Sequence, residues 1–117
     1  MKVVVADDHR LMVEGIRRAL EGAEDIEIVG EASTGSQVLP LVRRLHPDVV
    51  LLDVQLPDGD GFMVASWLAR EQPGAVVVLT SSRDASDYGD RVAASACGFI
   101  GKSELSGERF TALVGAA

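Results

Sequence analysis

The sequence predicts an α/β fold: a doubly wound five-stranded parallel sheet with strand order 2-1-3-4-5. Three observations carry this. Five apolar or alternating runs are each separated by a stretch with helical spacing, three of those runs are apolar at every residue, and 117 residues set an expectation of one domain, residues 1–117. Such a chain is long enough to bury roughly two-thirds of its unfolded surface.

The elements follow in order. Val3 to Ala6 forms the first strand, and Leu11, Ile16 and Leu20 then recur at helical spacing. Ile26 to Ala32 alternates as a second strand, followed by a helix carrying Val38, Leu41, Val42 and Leu45. Val49 to Leu52 is the third strand, and Gly59 and Gly61 mark a turn before a helix with Phe62, Ala65, Leu68 and Ala69. Val76 to Leu79 is the fourth strand, and Phe99 to Ile100, flanked by Gly98 and Gly101, is a short fifth. A last helix carries Leu105, Phe110, Leu113 and Val114. Pro47 and Pro73 stop the helices that precede the third and fourth strands.

Strands joined through helices run parallel, because a long crossover returns the chain to the same end. Continuous apolar runs belong where helices cover both faces, so strands 1, 3 and 4 are central. The alternating second strand and the short fifth suit the edges. In an open sheet of this order a ligand binds beyond the carboxyl ends, at the crevice between strands 1 and 3.

The fourth helix, roughly Ala85 to Ala96, is weakly specified. Tyr88 and Val92 are its large apolar anchors and Gly89 lies within it, so it is expected to be the most mobile helix.

Composition narrows the function. Net charge is −7, a balance that repels a phosphate backbone and argues against direct nucleic-acid contact. The single cysteine, Cys97, excludes an internal disulfide and reads as a small packed residue. No apolar stretch long enough to span a membrane and no leader are present, so the chain reads as soluble and cytoplasmic with no membrane partner.

Chemistry gathers at the carboxyl ends. Asp7 and Asp8 follow strand 1, Asp53 follows strand 3, Thr80 follows strand 4 and Lys102 follows strand 5. Three converging carboxylates either protonate or hold a cation, and oxygen ligands in a shallow site that keeps water favour Mg²⁺. Each residue taken alone has a plainer reading. Asp8 caps the helix that begins near His9, Asp53 is a turn residue, Thr80 bonds backbone and Lys102 is solvated. Coincidence of all five on one sheet edge favours a site.

These residues, in this order and spacing, resemble the receiver domains of two-component response regulators, with the flavodoxin-like (βα)5 fold. The match runs from Lys2 to about Val114. Val4-Val5-Ala6-Asp7-Asp8-His9, Leu52 through Gly61 and Gly98 through Leu105 are similar to the NarL/FixJ (LuxR-type) branch.

The resemblance implies a phosphorylation-dependent switch rather than a turnover enzyme. Asp53 would accept a phosphoryl group from a sensor histidine kinase or a small phosphodonor. Asp8 and Asp53 would bind Mg²⁺ directly, with the Gln55 backbone carbonyl as a further ligand and Asp7 acting through metal-bound water. Lys102 would balance charge at Asp53. Thr80 and Phe99 would form the switch, with Ser81, small, leaving room for the movement. A homodimer on phosphorylation and DNA binding through a helix-turn-helix output domain are implied for a full-length protein. The end at Ala117 therefore reads as truncation in preference to a single-domain regulator.

Departures stand out. Ser103 follows Lys102 where many receivers have a proline with a cis bond, which here would cost about 2.5–4 kcal/mol. No glycine lies between Gly89 and Gly98 to end the fourth helix, and Gln55 and Ser82 occupy positions that tune phosphoaspartate lifetime in the family. His9, His46 and Trp67 read as surface or packing residues. Two other functions stay open: a haloacid-dehalogenase-type phosphatase, disfavoured because Gln55 stands where its second acid belongs, and a degenerate receiver acting only as an interaction module.

Overall fold

The computed structural model describes residues 1–23, 25–95 and 97–115. Five parallel strands form the main sheet: β1 (Lys2–Ala6), β2 (Glu27–Ala32), β3 (Val49–Asp53), and, after a two-residue hairpin of β4 (Gln55–Leu56) and β5 (Gly59–Asp60), β6 (Val76–Ser81) and β7 (Gly98–Gly101). Their order is β2-β1-β3-β6-β7, the predicted arrangement with β2 and β7 at the edges. The helices are α1 (Arg10–Glu21), α2 (Gly35–Leu45), α3 (Gly61–Glu71), α4 (Arg91–Ser95) and α5 (Gly107–Gly115).

The sheet divides two cores. Val4, Ala6, Val50, Leu52, Val77 and Leu79 face α2 and α3, meeting Val38, Val42, Val64 and Leu68. The alternate residues Val3, Val5, Val49, Leu51, Val78 and Ile100 face α1 and α5, meeting Ile16, Leu20 and Phe110. Double coverage explains why the central strands carry no polar residue until their ends.

Four expectations change. Asp53, Thr80 and Ser81 lie within strands rather than beyond them, because ladder pairing of β3 with β6 continues through Asp53 and Thr80. The turn marked by Gly59 and Gly61 is a β-hairpin leading into α3. The fourth helix is not continuous. A 3₁₀ turn at Ala85–Tyr88 ends at Gly89, whose φ of +58° is incompatible with helix, and α4 begins only at Arg91. Its predicted end, Ala96, lies outside the described residues. Finally, Leu105 precedes α5, because Ser106 Oγ accepts from the Arg109 amide and starts the helix there.

His46 takes a left-handed conformation that ends α2 directly before Pro47. The Lys102–Ser103 bond is trans, as are the other described peptide bonds. Among the described residues no helix is long and apolar enough to cross a membrane.

Candidate functional site

Strand parity assembles the site. Side chains alternate across a sheet, so the series Val3, Val5, Asp7 on the first strand and Val49, Leu51, Asp53 on the third emerge on one face, with Val78, Thr80 and Ile100, Lys102 continuing it. The four polar residues are thus the carboxyl-end extension of the α1/α5 core. Asp7, Asp53 and Thr80 are 3%, 2% and 1% exposed, and all five predicted strand-end residues except Asp8 are held under cover.

Lys102 lies between the two buried acids. Its Nζ donates to Asp53 Oδ2 at 3.1 Å and stands 2.7 Å from Asp7 Oδ2, an ion pair without a directed hydrogen bond. The family resemblance implies the pairing of Lys102 with Asp53; its contact with Asp7 is additional. Burial raises the Asp53 pKa above the ordinary carboxylate value, with the Asp7 charge adding to it, while the Gln55 amide and Lys102 work the other way. Burial works to lower the Lys102 pKa, yet the two carboxylates outweigh it and the net shift is upward.

The remaining acid, Asp8, is exposed and does not cap α1. His9 occupies the N-cap position without a side-chain capping bond, and its amide donates to Asp7 Oδ1 at 2.9 Å. Carboxylate oxygens of Asp7, Asp8 and Asp53 and a His9 ring nitrogen all lie within 4.8 Å of one another. An oxygen-rich cluster with two buried acids and one neutralising lysine suits a hard divalent cation. An open cleft of about 630 Å³ lies beside the acid pair, lined by Arg10, Arg17, Glu31 and Ser33 among others.

Gln55 is held next to Asp53, its amide donating to Asp53 Oδ1 at 3.0 Å. The hairpin carrying it is pinned at two further points. Asp58 accepts from the Gly35 and Ser36 amides at 2.6 and 3.0 Å, capping α2 from across the chain, and these bonds hold its pKa below the ordinary value. Asp60 caps α3 through Met63 N at 2.9 Å and pairs with Arg91 at 2.5 Å. Gly61 packs so closely under the loop that an added Cβ would lie 2.4 Å from the Asp53 carbonyl oxygen.

Thr80 and Phe99 emerge on opposite faces of the sheet. The buried Thr80 hydroxyl has no hydrogen-bond partner among the described residues. Phe99 joins a chain of rings on the α2/α3 face, 6.3 Å from Tyr88, which lies 5.6 Å from Phe62, over which the Arg91 guanidinium sits at 4.3 Å. Ser81 is more than a small neighbour of Thr80. Its hydroxyl lies 2.5 Å from the Tyr88 hydroxyl and accepts from the Arg83 amide.

Sequence reasoning missed Asp58, Asp60, Arg91 and the Ser81–Tyr88 pair. Asp60 was detectable as an aspartate directly before a helical pattern. The others depend on contacts over 7 to 31 residues, which no local pattern carries.

Comparison with known proteins fixes the family. The profile of the Response regulator receiver domain family matches residues 3–114. This chain belongs to that family. The receiver is similar to the response regulator GacA of Pseudomonas aeruginosa, 39% identical over 103 residues, covering 87% of this chain and 48% of GacA. It is also similar to the DNA-binding transcriptional activator EvgA of Escherichia coli K12, 34% identical over 105 residues, covering 89% of this chain and 51% of EvgA. The solved signal receiver domain of NarL from Mycobacterium tuberculosis superposes with a TM-score of 0.86 at 31% identity, covering 99% of this chain and 97% of that one. The receiver therefore falls within the NarL-type branch, and it spans about half the length of these curated relatives. It is a signalling receiver domain carrying an acidic cluster consistent with a phospho-acceptor site, not an enzyme of another kind.

Proposed function

We propose that this receiver is the phosphorylation-dependent switch of a two-component system and that Asp53 accepts the phosphoryl group from a sensor histidine kinase. The observation that carries the reading is the buried Asp53 carboxylate with Lys102 at one oxygen and the unpartnered Thr80 hydroxyl on the neighbouring strand. In the transfer, an Asp53 carboxylate oxygen attacks phosphorus and a new O–P bond forms. The donor's P–N bond, or the P–O bond of acetyl phosphate, breaks, and its electron pair leaves with the donor. Mg²⁺, when bound, supplies positive charge against the phosphoryl oxygens. Asp8 and Asp53 would hold it directly, Gln55 through its backbone carbonyl and Asp7 through water.

Lys102 then exchanges an Asp53 oxygen for a phosphoryl oxygen as a point charge. Thr80 donates its hydroxyl to another, which satisfies a group otherwise buried without a partner. The pull on the end of β6 frees space for Phe99 to turn inward. In the full-length regulator this change is passed to a DNA-binding helix-turn-helix domain, with homodimerisation on phosphorylation. The likeness to EvgA, a DNA-binding activator that this chain covers only in part, supports that step.

The test is intact-mass analysis after incubation with acetyl phosphate and Mg²⁺, comparing the wild type with Asp53→Asn. The wild type should gain one phosphoryl mass and the variant none. An unlabelled wild type, or equal labelling of both, sinks the proposal.

A further inference from the structure

We infer that His9 is a metal ligand of this site, through Nδ1, and that it tilts the site from Mg²⁺ toward a first-row transition ion of the Mn²⁺ class. The inference rests on the metal-site reading above and adds to it a nitrogen donor and a change in selectivity.

The geometry points there first. His9 Nδ1 lies 3.0 Å from Asp8 Oδ1 and 3.4 Å from Asp7 Oδ1. Two neighbouring ligands of a six-coordinate ion with bonds of about 2.1 Å stand roughly 3.0 Å apart. The imidazole nitrogen and the Asp8 oxygen thus already stand at the spacing of neighbouring ligands, while Asp7 Oδ1 remains placed to act through metal-bound water. The Asp53 carboxylate completes a four-residue donor set within 4.8 Å. Thr80, in register with Asp53 across β3 and β6, is 1% exposed with its hydroxyl unpartnered, which marks the same crevice as one arranged around a ligand.

The backbone explains why the ring is available. As the N-cap of α1, His9 has extended torsions (φ −94°, ψ 106°) and its side chain makes no capping bond. Its amide, bonded to Asp7 Oδ1, fixes the residue beside the acids while the side chain stays 65% exposed at the mouth. A solvent-facing ring can reorient toward an arriving ion.

Selectivity follows from donor type. Mg²⁺ prefers oxygen ligands and retains its water, whereas affinity for nitrogen donors rises along the first transition row from Mn²⁺. The Asp8 and Asp53 carboxylates with one imidazole make a mixed set that Mn²⁺ accepts on both counts. The 3.0 Å contact also fits a ring N–H donated to Asp8, and the two readings separate experimentally.

Mg²⁺ and Mn²⁺ are titrated calorimetrically into the wild-type chain, His9→Gln, His9→Ala and Asp8→Asn. The wild type should bind Mn²⁺ at least about tenfold more tightly than Mg²⁺. Both His9 variants should lose most of that ratio while Mg²⁺ affinity changes less than about twofold. Pulsed electron paramagnetic resonance of the Mn²⁺ complex should show coupling to a directly bound imidazole nitrogen in the wild type and none in His9→Gln. An unchanged ratio, equal weakening of both ions, or no nitrogen coupling in the wild type overturns the role of His9 and leaves the acidic site standing. Absence of binding by either ion, or full affinity in Asp8→Asn, overturns the metal-site reading and this inference with it.

Discussion

Ionising Asp53 carries a cost. Burial raises its pKa, so the folded state holds the proton more tightly than the unfolded state, and stability falls as pH rises through the raised value. Asp53→Asn removes the charge and keeps the shape. In chelator at neutral pH it should therefore raise the thermal midpoint, where each kcal/mol corresponds to about 4–8 °C in a domain near this size. The gain should shrink as pH drops through the raised Asp53 pKa and the wild-type carboxyl takes up its proton. Thermal scans of both proteins across that range check this; a gain that does not vary with pH rules it out. Removing the lysine has the opposite sign. Lys102→Ala leaves Asp7 and Asp53 facing each other without a cation, so unfolding should become easier by about 1–3 kcal/mol, read by urea titration at neutral pH. At this scale the sequence was informative about placement: it put Asp7, Asp8, Asp53, Thr80 and Lys102 at the carboxyl edge of the sheet, where the structure has them, because strand ends can be counted from apolar runs. The double engagement of Lys102 was not, since it depends on the two acids emerging on the same face.

Among the elements, the segment from Ala85 to Ser95 is the least anchored. It contributes no buried residue, and its attachments include the Tyr88 hydroxyl on Ser81, the Tyr88 ring between Phe62 and Phe99, and Arg91 on Asp60 and over Phe62. Thr80 and Ser81 are successive residues of β6 and therefore emerge on opposite faces, one toward the site and the other toward Tyr88. A displacement of that strand end is felt on both faces at once. Tyr88→Phe keeps the ring and removes the hydroxyl, so it should cost about 0.5–1.5 kcal/mol and speed amide exchange in residues 85–95 ahead of the rest of the chain. Uniform exchange throughout would show that the pair does not anchor this segment. Sequence indicated a weak helix here from Gly89 and sparse apolar residues. It could not indicate that Gly89 breaks the element in two, because a glycine within a helical pattern is compatible with either outcome.

Across the whole molecule, strand order and the central positions of β1, β3 and β6 were legible because double burial writes itself as uninterrupted apolar runs. The hairpin of β4 and β5 was not, since two-residue strands have no period to detect. The two cores are also unequal in how they are filled. On the α1/α5 side Phe110 is the largest fully buried side chain and meets the same sheet face that ends in Asp7, Asp53 and Lys102. Phe110→Ala should cost about 3–5 kcal/mol, a large share of the roughly 5–15 kcal/mol that such a domain has in total. Urea titration followed by circular dichroism gives the number, and a loss under about 1 kcal/mol would mean the site's floor is repacked rather than hollowed.

The close contact beneath the loop after Asp53 sets the mutational tolerance of the site. Charged residues there can be exchanged for near-isosteres of the same shape, whereas at Gly61 an added Cβ would meet the Asp53 carbonyl oxygen at 2.4 Å and Val54 Cα at 2.8 Å. Every substitution at position 61 adds that carbon. In a saturation screen scored on both abundance and signalling, position 53 should separate the two scores and position 61 should lower both together. The least replaceable position near Asp53 is then one that contributes no functional group.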